Sequence, residues 1–103
     1  MTNEYYNVET HKILDTENSK VKLLVQSMSH KEGTKADFVD IRKFRSYEGK
    51  PLMYTAKGVH FSEEQLKEVI EGLMDVYVRI HGVDKAVELA DSILYNLCEY
   101  KDV

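Results

Sequence analysis

Along residues 38–45 polar and apolar side chains alternate with the period of a β-strand. Val39 and Ile41 fall on one face, and Phe38, Asp40, Arg42 and Phe44 on the other. One face is aliphatic; the second mixes rings with a guanidinium, a pattern equally shared by solvated sheet faces and edge strands. Residues 21–28, rich in β-branched and aliphatic side chains, predict another strand that sends Val21, Leu23 and Val25 inward and Lys20, Lys22, Leu24 and Gln26 outward. Residues 8–15 predict a strand with Val8, Thr10, Lys12 and Leu14 on one side if extended, and Glu17-Asn18-Ser19 supplies turn chemistry after it. Residues 46–51, with Gly49 and the lone proline, read as a hairpin loop before a last strand over 52–56, and Gly58 marks a bulge or bend. The polar stretch 29–35, with Gly33, connects the second strand to the third. Residues 1–7, polar apart from Tyr5 and Tyr6, fit either a disordered arm or an extra strand.

The pattern then changes to a helical one. Ser62 stands as N-cap, Gln65 completes a capping box three residues later, and Phe61 and Leu66 occupy the staple positions, so a helix begins at Glu63. Leu66, Val69, Ile70, Leu73, Met74 and Tyr77 recur at three- and four-residue steps as one apolar stripe, and the helix runs to about His81, where Gly82 caps or breaks it. Val83, Ala86, Val87, Ala90, Ile93, Leu94, Leu97 and Cys98 share one face of a second amphipathic helix ending near Tyr100. The expected fold is α+β: one domain over 1–103, with a four-stranded sheet over 8–61, a helix over 62–81 and an extra C-terminal helix over 83–100.

Asp40-Ile41-Arg42, a loop with Glu48-Gly49, then Lys57-Gly58-Val59-His60-Phe61 and Ser62-Glu63-Glu64-Gln65-Leu66-Lys67, in that order and spacing, span about a third of the chain. The series resembles the single-stranded-DNA-binding domain of the transcriptional coactivator positive cofactor four and its bacterial and phage relatives. The resemblance implies four antiparallel strands before one helix, helices that pair two subunits into a homodimer, and curved sheets that bind unpaired strands. It carries a nucleic-acid contact to Arg42 first and to Lys57 next. The chain departs from the family at Arg45, where an aromatic residue is frequent, and at Ala56, where a second basic residue is frequent. The second helix lies outside the family pattern; it either packs on the first, enlarges the subunit interface or docks a separate protein partner.

Composition changes this picture only through the distribution of charge. The net charge of −4 speaks against a nucleic-acid partner, yet residues 20–61 hold nine Lys and Arg against four Asp and Glu, whereas residues 62–103 hold four against ten. A basic sheet can thus face phosphate while acidic helices point elsewhere, although acidic helices are also ordinary solvated surface. A binder of unpaired strands needs rings to stack on and cations along the path. Phe38, Phe44 and Tyr54 are the candidate rings, and Lys20, Lys22, Arg42, Lys43, Arg45, Lys50 and Lys57 the candidate cations. Each has a plainer reading: Phe38 and Phe44 are core if the strand faces are reversed, Tyr54 covers a sheet edge, and Lys43 alternates to the aliphatic side. Lys31 and Lys35 either reach a phosphate or keep a loop soluble. Asp40 is expected to partner an Arg, Lys or backbone donor rather than act as an acid catalyst.

One cysteine excludes an internal disulfide, and His11, His30, His60 and His81 lack metal-ligand spacing, so no metal or cofactor is expected. No nucleophile has a placed base and no Gly-rich loop cradles phosphate, so the expectation is a protein that is not an enzyme. No apolar run suffices for a membrane span, and an intracellular, cytoplasmic location is expected. The lead expectation is a sequence-tolerant binder of single-stranded DNA or RNA in transcription regulation or DNA replication and repair. The alternative is an adaptor of the same fold that holds a protein through its acidic helices.

Overall fold

A computed structural model describes residues 5–33 and 36–101. The element order is β1 (Tyr6–Asp15), β2 (Val21–His30), β3 (Phe38–Ser46), β4 (Leu52–Ser62), α1 (Glu63–His81) and α2 (Val83–Lys101). The protein is therefore α+β, with a four-stranded antiparallel sheet followed by two helices. The chain divides into two compact units, Met1–Leu66 and Lys67–Val103.

The strands pair in sequence order, β1-β2-β3-β4. Each short connection is built by its own turn residues. After β1, the Asn18 carbonyl accepts from Val21 N and its side-chain oxygen from Lys20 N, an Asx arrangement. After β3, Lys50 N donates to the Tyr47 carbonyl at 2.9 Å, and Gly49 takes the φ of 70° that a β-carbon would disfavour.

Two irregularities decide which side chains share a face. Thr10 pairs with Gln26, but Lys12 already pairs with Val25, so a bulge at His11 flips the second half of β1. Val8 and Thr10 share a face with Gln26 and Met28, and from there Ile13 and Asp15 take over; the expected single row of Val8, Thr10, Lys12 and Leu14 is broken. A second bulge lies in β4, where Arg42 pairs with Gly58 and Phe44 with Tyr54. β1 starts at Tyr6, two residues earlier than expected, and β2 continues to His30 through residues expected in the connection.

The packed face of the sheet is the reverse of the expected one. Leu24, Phe44, Gln26 and Asp40 are the buried residues of the sheet, and all lie on the face of Phe38 and Arg42. Val21, Leu23, Val25, Val39 and Ile41 are half-buried. Residues of all four strands line a single trough on the first face, where their side chains crowd and cover one another.

The capping box forms as the sequence requires. Gln65 N donates to Ser62 Oγ at 3.3 Å, and Ser62 N donates back to Gln65 Oε1 at 3.1 Å. Glu63 and Glu64 stand in the first turn of α1, and Arg79 and His81 in the last, complementing the helix dipole. Gly82, at φ 89°, closes α1 by donating to the Val78 carbonyl at 2.8 Å, and its own carbonyl accepts from Ala86 N as α2 begins. Much of the apolar stripe is exposed, including Ile70, Leu73 and Ile80 in α1 and Val83, Val87, Leu94 and Leu97 in α2. Among the described residues no helix is long and apolar enough to cross a membrane.

Candidate nucleic-acid interface

Antiparallel pairing brings side chains from all four strands to one face. Phe38, Asp40, Arg42 and Phe44 lie along β3; opposite them in register are Met28, Gln26 and Leu24 on β2 and His60, Gly58 and Tyr54 on β4. The open trough above this face has a volume of about 890 Å³. From Phe38 to Phe44 it spans six residue steps, about 20 Å at about 3.3 Å per residue.

Its middle is polar and tightly bonded. Arg42 donates from Nε to Asp40 Oδ2 at 3.0 Å and from Nη2 to Asp40 Oδ1 at 2.9 Å, a two-pronged pair. Nη1 donates to the Thr55 carbonyl at 2.8 Å, tying β3 to the β4 bulge. Three of the five guanidinium N–H groups are used in this way. The Asp40 side chain is only 7% exposed and that of Arg42 23%. The hydrogen bond to Asp40 raises the Arg42 pKa against the opposing effect of burial, so the guanidinium stays charged, with its charge balanced beside it. Beside this pair Gln26 donates to Thr10 Oγ1 at 2.9 Å. Asp40 is thus the structural partner that its place beside Arg42 suggested.

Gly58 shows why a glycine stands opposite Arg42. A β-carbon there would lie 2.8 Å from Arg42 Cζ and 3.0 Å from Cγ and Nε, so the arginine passes over a bare backbone. The bulge beside it is secured by Thr55, whose hydroxyl donates to the Lys43 carbonyl at 2.8 Å and accepts from Lys57 N at 3.2 Å.

Rings occupy both ends of the trough. At one end Tyr6 packs on His30 at 4.7 Å between centroids and edge-on to Phe38 at 5.3 Å, and Phe38 meets His60 at 5.9 Å. At the other end Tyr54 is 66% exposed beside Phe44, which is 3% exposed. No base can reach a ring so covered, so the expected stacking role of Phe44 gives way to that of core. Phe38 is half-buried within the ring cluster, and Tyr54 stands open.

The candidate cations do not share one face. Arg42 lies in the trough. Lys43 and Arg45 alternate to the opposite face, both exposed, with the Arg45 guanidinium 5.7 Å from the Tyr47 ring centre. Lys22 sits at the end of the trough face but is bound to Asp15 at 2.6 Å; this bond and the nearby positive charge hold the Asp15 carboxyl below its ordinary pKa. Lys20 and Lys50 occupy the β1–β2 and β3–β4 turns, which meet at the same end of the sheet, where Ser46 N donates to the Lys20 carbonyl at 2.8 Å. Glu17 and Glu48 stand in the same two turns. Lys57 is exposed on the β4 bulge next to Thr55 and Ala56, which line the trough, and it makes no ion pair among the described residues. Lys35 lies outside the described residues.

Sequence reading missed Tyr6, His30 and His60 as ring donors and Gln26 as a lining residue. Only the register exposes them: His60 pairs with Asp40 and His30 with Tyr6, which places both on the face of Phe38.

Compared with known proteins, the chain matches no family model, no curated protein and no solved structure. Its likeness to the positive-cofactor-four domain accordingly rests on the residues quoted above.

Proposed function

We propose that the protein is a non-catalytic, sequence-tolerant binder of single-stranded nucleic acid, DNA first, that serves transcription regulation or DNA replication and repair. The observation that supports this most is the trough: rings at both ends of one face of an antiparallel sheet, with Lys57 exposed beside it. Unpaired strands offer flat base faces to such rings, and stacking of this kind contributes about 1–3 kcal/mol per base with little regard to sequence. In this reading two subunits pair through α1, none of whose residues is buried in the single chain. A stripe that includes Ile70, Leu73, Val76 and Ile80 gains most when a second copy covers it.

The test is fluorescence anisotropy with a labelled mixed-sequence single strand and the corresponding duplex over a salt series. The single strand is expected to bind more tightly, with affinity falling steeply as salt rises, and Lys57→Ala is expected to reduce the logarithmic salt slope by about 0.7, one phosphate contact's worth. A folded protein that binds neither ligand at low salt refutes the reading.

The exposed apolar positions of α2 favour a second reading, in which this acidic helix holds a protein partner. A chain that fails to bind nucleic acid but keeps its helices points to that adaptor role.

A further inference from the structure

We infer that a bound strand turns its bases into the trough and keeps its phosphates on the rim, with Tyr54 and His60 as the base-contacting side chains at its two ends. This rests on the single-strand reading above and assigns which part of the strand each surface takes.

The charge inside the trough decides the matter. Among the described residues that line it, the only ones carrying full charges at neutral pH are Asp40 and Arg42, and they are paired at 2.9 Å. A phosphate placed there would meet a carboxylate as readily as a guanidinium and would give up its hydration for no net attraction. Six lining residues instead carry rings: Tyr5, Tyr6, Phe38, Phe44, Tyr54 and His60. Of the two proposed contacts, Tyr54 and His60 are both exposed and stand four pairing steps apart along the β3–β4 ladder, opposite Phe44 and Asp40. The volume of about 890 Å³ lies in the roughly 300–1,000 Å³ range of clefts that take flat organic ligands.

The polar middle suits base edges. Arg42 retains two N–H groups beyond those used by Asp40 and Thr55. The Gln26 amide beside it is buried and spends one N–H on Thr10, so Arg42 is the group that offers donors to the carbonyl oxygens that unpaired bases display. The cations of the sheet and its turns that lack a carboxylate partner among the described residues lie outside the trough, among them Lys57 on the β4 bulge, Lys20 and Lys50 in the turns, and Lys43 and Arg45 on the opposite face. Phosphate is therefore attracted to the rim and bases to the interior.

The experiment compares a mixed-sequence single strand with an abasic strand of equal length and charge, using the full chain. The abasic strand is expected to bind on the order of tenfold more weakly or worse, since stacking is lost at each engaged base. Tyr54→Ala and His60→Ala, both at exposed sites, are expected to weaken the intact strand about fivefold or more and leave the abasic strand unchanged. Lys57→Ala is expected to weaken both. Equal binding of the two strands, or equal loss for both in the ring variants, overturns the inference while sparing the single-strand reading. Binding of neither strand by the folded wild-type protein overturns the reading itself.

Discussion

Replacing Gly58 with alanine adds a single methyl group and nonetheless acts on three hydrogen bonds. The new β-carbon would sit 2.8 Å from Arg42 Cζ, closer than such atoms approach, so the arginine must move. It is not free to do so cheaply, because Asp40 holds it by two bonds and the Thr55 carbonyl by a third. A hydrogen bond to a charged group contributes about 1.5–3 kcal/mol, and losing or distorting one of the three leaves Asp40 short of a partner at a nearly buried site. Gly58 is not at positive φ, so alanine returns about 0.5 kcal/mol by narrowing the unfolded chain. The net expectation is a loss of about 2 kcal/mol, read in urea as a midpoint lower by about 1 M. Gly72→Ala in α1 is the control: nothing lies within 4 Å of its new β-carbon, and within a helix the change is expected to stabilise by about 0.5–1 kcal/mol. In an Arg42→Ala, Asp40→Ala background Gly58→Ala is expected to cost nothing. Equal cost in both backgrounds, or no cost in the wild type, refutes the idea that Gly58 exists to let Arg42 pass.

Two further outcomes are expected. Ser62→Ala removes the hydroxyl half of the capping box, leaving the backbone N–H of residue 62 to Gln65 Oε1, and is expected to destabilise the helical segment by about 1 kcal/mol, read as an earlier loss of helical ellipticity; a Thr replacement restores most of it. The Asp15 carboxyl, bonded to Lys22, is expected to titrate by NMR below other exposed carboxyls and to return to the ordinary range in Lys22→Ala. Since its folded pKa is depressed, its contribution to stability is present above the ordinary carboxyl range and fades as pH falls through the folded value.

The elements that local chemistry specifies were legible in the sequence. Ser62 and Gln65 announce the start of α1, Gly82 its end, and the alternation from Phe38 to Phe44 gives β3 its two faces. What escaped was set by the sheet as a whole. The bulge at His11 carries no distinctive residue, yet it exchanges the faces of half of β1. The choice of packed face depends on the side on which all four strands together line the trough, so Leu24 and Gln26 are buried although their strand shows an equally apolar opposite side in Val21, Leu23 and Val25. His60 is the same problem at the site: only pairing with Asp40 across the ladder brings it to the rings, and the β4 bulge between it and Tyr54 hides that relation from any simple count.

The geometry also explains why Asp40-Ile41-Arg42 and Lys57-Gly58 occur as a set. A two-residue step puts Asp40 and Arg42 on one face, where both carboxylate oxygens accept from one edge of the guanidinium. The register sets Gly58 directly opposite, and the arginine then crosses its backbone to the Thr55 carbonyl, fixing the bulge from which Lys57 projects. Asp40, Arg42 and Gly58 build this corner of the sheet whether or not a nucleic acid ever touches it. The spacing of Asp40, Arg42 and Gly58 is thus accounted for by the packing of this sheet, without reference to a ligand. The question of the ligand passes to residues that the fold does not require: Lys57 on the bulge, Tyr54 at the rim and His60 at the far end. Their substitution separates binding from stability in a way that Arg42→Ala, which leaves Asp40 without its partner, cannot.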